Sequence, residues 1–174
     1  REHTQRKNNF PLSFMKILLI LILLSLSACS LSMPGKSFHG PLPEMTEEQI
    51  ALAKTLEHDV RVLSVSHGER NIFNQPGLRA AEDFITSSLK ESGYQVRFQE
   101  YESSGVTVRN IEAEILGTER PSEVFLIGAH YYGVHGSLAA NDNGSGVAAT
   151  LALARALRND KPARSIRFVF FVNE

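Results

Sequence analysis

The stretch Phe125-Leu-Ile-Gly-Ala-His-Tyr-Tyr-Gly-Val-His-Gly-Ser-Leu-Ala-Ala-Asn-Asp-Asn-Gly-Ser-Gly146 decides how the chain is read. An apolar run ends in His130, a short Gly-containing loop follows, and Asp142 stands between two asparagines just before a helix-like segment rich in Ala and Leu. An imidazole at the end of a strand and a carboxylate at the mouth of a helix lie at the edge where open α/β sheets collect ligands. Nitrogen and oxygen donors of these types suit zinc. Asp142 follows His130 by twelve positions, and Gly133 and Gly136 allow the intervening chain to fold back. Asn141 and Asn143 can hydrogen-bond the local backbone and hold the turn. Asp142 could cap the helix; Asn143 could equally do so, leaving Asp142 to reach a metal.

Neighbouring features fit other chemistries poorly. Gly144-Ser-Gly-Val-Ala-Ala149 matches the loose dinucleotide pattern G-x-G-x-x-A, but that pattern needs a strand directly before its first glycine, and a turn stands there instead. Small residues at these positions are expected to let the helix pack closely against the sheet. Ser145 lacks the G-x-S-x-G elbow of serine hydrolases. Glu174 closes the apolar run Ile166–Val172 after Asn173, placing a carboxylate at a sheet edge, where it could act as a general base.

Working outward, Thr46 can cap a helix whose apolar positions Ile50, Ala53, Leu56, Val60 and Leu63 are expected to face inward. His58 on or near that helix reads as a surface or packing residue, since no other donor type is spaced to join it as a ligand. Residues 68–77 read as a loop. A second helix is expected from Leu78 to Ser92, with Ala81, Phe84, Ile85 and Leu89 inward and Gly93 ending it. Strands are expected over Tyr94–Tyr101, Val108–Leu116, Val124–Ala129 and Ser165–Val172, with a helix over Gly144–Leu157. The third strand, nearly all apolar, reads as a central strand covered on both faces. The sum is an α/β fold, a three-layer sandwich with a mixed central sheet.

The 174 residues carry 18 Lys+Arg and 19 Asp+Glu, a net charge of -1, which provides no electrostatic case for nucleic acid. Near the amino terminus, Lys16 precedes the apolar core Ile17–Leu26, too short for a bilayer interior of ~30 Å and suited to a secretory signal. Leu26-Ser-Ala-Cys29 resembles a bacterial lipobox, and Cys29 is the sole cysteine, so no internal disulfide can form. The expected organisation is an upstream extension over 1–14, a lipoprotein signal peptide over 15–28, a tether over 29–43 and the folded domain over 44–174. The implied address is the bacterial cell envelope, lipid-anchored through Cys29; Ser30, by resemblance to Gram-negative lipoproteins, points to the outer membrane, facing the periplasm.

Ile127-Gly-Ala-His-Tyr131, Ala140-Asn-Asp-Asn-Gly-Ser-Gly-Val-Ala148 and Arg167-Phe-Val-Phe-Phe-Val-Asn-Glu174 together resemble the zinc aminopeptidase family, metallopeptidase family twenty-eight, which includes vibrio leucyl aminopeptidases, aminopeptidase Y and glutamate carboxypeptidase catalytic domains. The resemblance implies a zinc exopeptidase-like fold acting on peptide substrates with two zinc ions. It implies that His130 binds one zinc, that Asp142 bridges both and precedes a cis peptide bond, and that Glu174 is the catalytic general base. Position 132 departs from the pattern: Tyr132 stands where the family has an aspartate that orients the histidine ligand, and the hydroxyl of Tyr131 or Tyr132 is a candidate substitute. The family's remaining ligands would follow Glu174. The chain is therefore expected to be the amino-terminal half of a longer domain, unable by itself to hold a working dizinc centre. Two other readings share the fold, a glutaminyl cyclase-like acyltransferase and a catalytically inactive binding module, the latter favoured by Tyr132.

Overall fold

The computed structural model describes residues 16–17, 19–21 and 35–172. The chain divides into two compact units, Arg1–Pro43 and Glu44–Glu174. Cys29 and Glu174 lie outside the described residues, as do most of the signal peptide and tether expected from the sequence. No described helix is long and apolar enough to cross a membrane.

The second unit opens with α1, Glu47–Arg61. Thr46 and Gln49 form a reciprocal capping box, each side chain serving the other's backbone N–H, which satisfies two orphan donors at the helix start. A π-helical turn, Val62–Ser66, extends this helix. Next comes α2, Gln75–Glu91, which starts three residues earlier than expected, because Pro76 in the first turn sacrifices no intrahelical bond. Ala81, Ile85 and Leu89 are buried as expected, and Gly93 ends the helix with φ +85°.

β1, Arg97–Ser103, and β2, Val106–Ile115, form an antiparallel hairpin around Ser104-Gly105. Both turn residues have positive φ, +52° and +77°, which matches the twist of the flanking strands. β3, Arg120–His130, leads through a loop into α3, Gly146–Leu157, and then into β4, Arg164–Phe171. The sheet order is β1-β2-β4-β3, with β4 antiparallel to β2 and parallel to β3, so the sheet is mixed and the α/β class stands.

The core gathers Leu63, Leu78, Ile85, Leu89, Val108, Ile111, Val147, Leu151, Phe168 and Phe170 between the helices and the sheet. Phe168 and Phe170 are fully buried, each contributing about 1.5–3 kcal/mol by removal from water.

Two expectations about burial are corrected. β3 is an edge strand of the described sheet, not a central one, and Val124, Phe125 and Leu126 are exposed. An apolar run does not reveal strand order; here the centre falls to β2 and β4. Ile50 and Ala53 are likewise exposed. Leu52 and Leu56 border an open apolar groove with Ala149 and Leu153 of α3, while the buried end of the α1 segment is marked by Asp59 and Leu63.

Candidate metal centre

Parallel pairing brings the ends of β3 and β4 to one edge, with His130 in register with Phe171. The bond from Tyr131 N–H to Phe171 O, 2.8 Å, fixes where the chain leaves β3. Beyond Phe171, both backbone polar groups of Val172 are held. Its N–H donates to Asn110 Oδ1 at 2.9 Å, and its carbonyl accepts from the Tyr101 hydroxyl.

The loop after His130 returns to a second π-helical turn, Ala140–Ser145, at the head of α3. Asn143 Oδ1 accepts from Gly146 N–H at 3.0 Å, so Asn143 takes the capping bond and Asp142 is left pointing outward, its side chain 85% exposed. The peptide bond between Asp142 and Asn143 is cis, as the resemblance implies. Ala148 is buried on α3, while Gly144 and Gly146 serve the turn itself. A Cβ on Gly146 would stand 2.1 Å from Asn143 Oδ1, and one on Gly144 would stand 2.9 Å from Ala139 O. These glycines admit neighbours of their own turn.

His130 Nε2 lies 3.1 Å from Asp142 Oδ1, so the two residues singled out from the sequence converge. The imidazole Nδ1 faces Tyr132 O at 3.0 Å. Both ring nitrogens therefore face acceptors. A neutral imidazole carries one proton and can donate to one of them. With Nδ1–H donating to the carbonyl, the Nε2 lone pair is directed at Asp142. Nitrogen and oxygen donors this close together would both be able to hold one zinc ion. The donor set fits zinc. Among the described residues no cluster of three or more His, Cys, Asp or Glu side chains joins them.

The orienting group at position 132 is the backbone carbonyl, not a hydroxyl. The Tyr131 hydroxyl instead donates to Arg109 O at 2.8 Å inside the protein, where burial pushes its pKa well up. The Tyr132 side chain packs against the core. His58 is exposed, and the Ser145 hydroxyl is occupied by Asn141 O at 2.7 Å.

Two residues near the centre carry no signal in the sequence reading. Arg70 is fully buried and donates to five carbonyls: Nε to Tyr131 O, 2.9 Å; Nη1 to Leu63 O, 2.7 Å, Leu138 O, 3.0 Å, and Gly68 O, 3.2 Å; and Nη2 to Ala139 O, 2.9 Å. Burial lowers its pKa, though an arginine stays charged regardless. Glu69 Oε1 accepts from Gly136 N–H at 2.9 Å and pairs with His135 Nδ1 at 2.7 Å. Hydrogen bonds from Asn71 and then Gly136 hold the Glu69 carboxyl below the ordinary glutamate value. Neither residue belongs to a periodic pattern, so only the folded loop exposes them.

Residues 110–174 match the model of Peptidase family M28. That match bears out the resemblance read from the sequence. Leupeptin-inactivating enzyme 1 of Streptomyces exfoliatus is 31% identical over 127 residues, covering 71% of this chain and 29% of that protein. A glutaminyl cyclase of Porphyromonas gingivalis is 30% identical with a TM-score of 0.57, over 70% of this chain and 45% of that one. A Zn-dependent exopeptidase from Parabacteroides distasonis is 25% identical with a TM-score of 0.57, over 76% of this chain and 48% of that one. The chain spans less than half the length of each. The fold is zinc exopeptidase-like.

Proposed function

We propose that His130 and Asp142 are zinc ligands of an M28 aminopeptidase that removes amino-terminal residues from peptides outside the cytoplasm. The observation that carries this reading is the convergence of His130 Nε2 and Asp142 Oδ1 at 3.1 Å, with Nδ1 committed to Tyr132 O. Zinc held there would supply Lewis acidity toward a scissile carbonyl. The protein's own part is to keep Nε2 unprotonated and aimed, to hold Asp142 clear of the helix cap, and to bring Glu174 to the same edge as general base. If two zinc ions are bound, as the resemblance implies, His130 and Asp142 would be among the residues that hold them. Cys29 serves as a lipid anchor to the envelope, with the peptidase on the periplasmic side of the outer membrane.

The similarity to a glutaminyl cyclase at 30% identity favours a second reading, acyl transfer within amino-terminal glutaminyl peptides. One set of assays separates the two. The full-length product of this reading frame is expected to bind zinc, to lose it in His130→Ala and Asp142→Ala, and to hydrolyse aminoacyl-anilides. Cyclisation of glutaminyl peptides without anilide hydrolysis would select the second reading. Zinc content unchanged in both variants would end both. Membrane-fraction protein that remains there in Cys29→Ser would refute the lipid anchor.

A further inference from the structure

Glu69 and Arg70 hold the loop that separates the two proposed ligands at several points along its length. The Arg70 guanidinium reaches Tyr131 O, one residue past His130, and Ala139 O, three residues before Asp142. Its Nη1 also holds Leu138 O. The backbone carbonyl of Arg70 accepts from Gly133 N–H at 2.7 Å, so the same residue both donates to the loop and accepts from it. Glu69 Oε1 takes the Gly136 N–H in the middle. At the far end, Ala139 has φ +48°, a left-handed conformation uncommon for a residue with a side chain, and its carbonyl accepts from both Arg70 Nη2 and Gly144 N–H. The other end of the clamp is the preceding segment, through Leu63 O and Gly68 O.

A buried guanidinium without a carboxylate is costly unless its donors are paired. Here the donors are spent on carbonyls at both ends of one loop, and the planar, rigid fork sets the distance between those ends. A lysine offers three donors at a single point and cannot span them.

We propose that Arg70 is a positioning residue for the metal pair: it fixes both ends of the 131–139 loop and thereby sets the approach of His130 to Asp142. Glu69 is its helper at the loop's midpoint. The inference rests on the zinc reading for its purpose, but the clamp itself is measurable without metal.

The test is amide hydrogen exchange on the 15N-labelled chain, metal-free, with the His130 ring tautomer read from long-range 15N–1H correlations. In Arg70→Met, the Gly133 and Gly144 amides are expected to lose at least tenfold more protection than Phe168 and Phe170, and the single Nδ1–H tautomer is expected to become a mixture. Arg70→Lys keeps the charge and covers the case in which the methionine variant does not fold; the same local loss is expected there. Arg155→Met is the comparison for a general loss of stability, which lowers protection at all four amides together and leaves the tautomer fixed. A uniform loss in the Arg70 variants, an unchanged tautomer, or failure of both to fold overturns the proposal. Loss of zinc binding in His130→Ala with an intact clamp supports both readings, whereas an intact clamp with zinc content unchanged in that variant sinks the zinc reading alone.

Discussion

Gly146 leaves room for the side chain of Asn143: a Cβ at position 146 would meet Asn143 Oδ1 at 2.1 Å, and the glycine's own N–H donates to that oxygen at 3.0 Å. The absence of a side chain at one residue and the capping bond at the other are therefore one feature. While Asn143 occupies the head of α3, Asp142 is released toward His130. Gly146→Ala has to displace Asn143 and is expected to cost about 1–3 kcal/mol, the range for forcing atoms into a packed site. Zinc binding should fall with it, because a displaced Asn143 moves the peptide bond it shares with Asp142. Urea unfolding together with zinc titration checks this; an alanine variant of unchanged stability would show that the turn relaxes freely.

Tyr132 raises the question of whether the centre is impaired by the missing aspartate. Its backbone carbonyl already accepts from His130 Nδ1, so the imidazole has the orienting partner a carboxylate would provide. Loss of such a partner costs roughly 10–100-fold in affinity or activity, and its restoration would recover as much if it were absent here. Tyr132→Asp is therefore expected to raise zinc affinity by less than about tenfold, and Tyr132→Phe to leave it nearly unchanged. A competitive zinc titration of the full-length product decides. A gain of about 100-fold in the aspartate variant would mean that the carbonyl does not do this work.

Much of the site was legible because its chemistry is local in sequence. His130 ends an apolar run, Asp142 sits in a turn of asparagines, and the loop between them is short enough to close, so their meeting could be inferred from spacing. The helices followed from apolar positions three and four apart. What escaped was non-local. Arg70 reaches Tyr131 and Ala139 from more than sixty positions away, inside a stretch that reads as loop from its Gly, Pro and Asn content. The edge position of β3 escaped for a related reason: strand order is decided by which partners pair, and Phe125-Leu-Ile127 looks the same to a sequence whether one neighbour or two lie beside it. Asp59 escaped because a carboxylate on an amphipathic helix is ordinarily assigned to the solvent face.

Asp59 is in fact 2% exposed, and its partner is Arg155, whose Nη1 donates to Asp59 Oδ2 at 2.6 Å while Nη2 donates to Ser88 Oγ at 2.6 Å. One guanidinium thus ties together α1, α2 and α3. Removing one member of a buried pair strands the other's charge and costs roughly 3–5 kcal/mol; Arg155 keeps 32% of its side chain in solvent, which places Arg155→Met at the lower end. Replacing both partners by apolar side chains removes the stranded charge, so Asp59→Leu combined with Arg155→Met is expected to regain most of the loss. The urea midpoint of the three proteins is the measurement. A double variant as unstable as the single one would show that the bond to Ser88, rather than the charge pair, secures the helical layer.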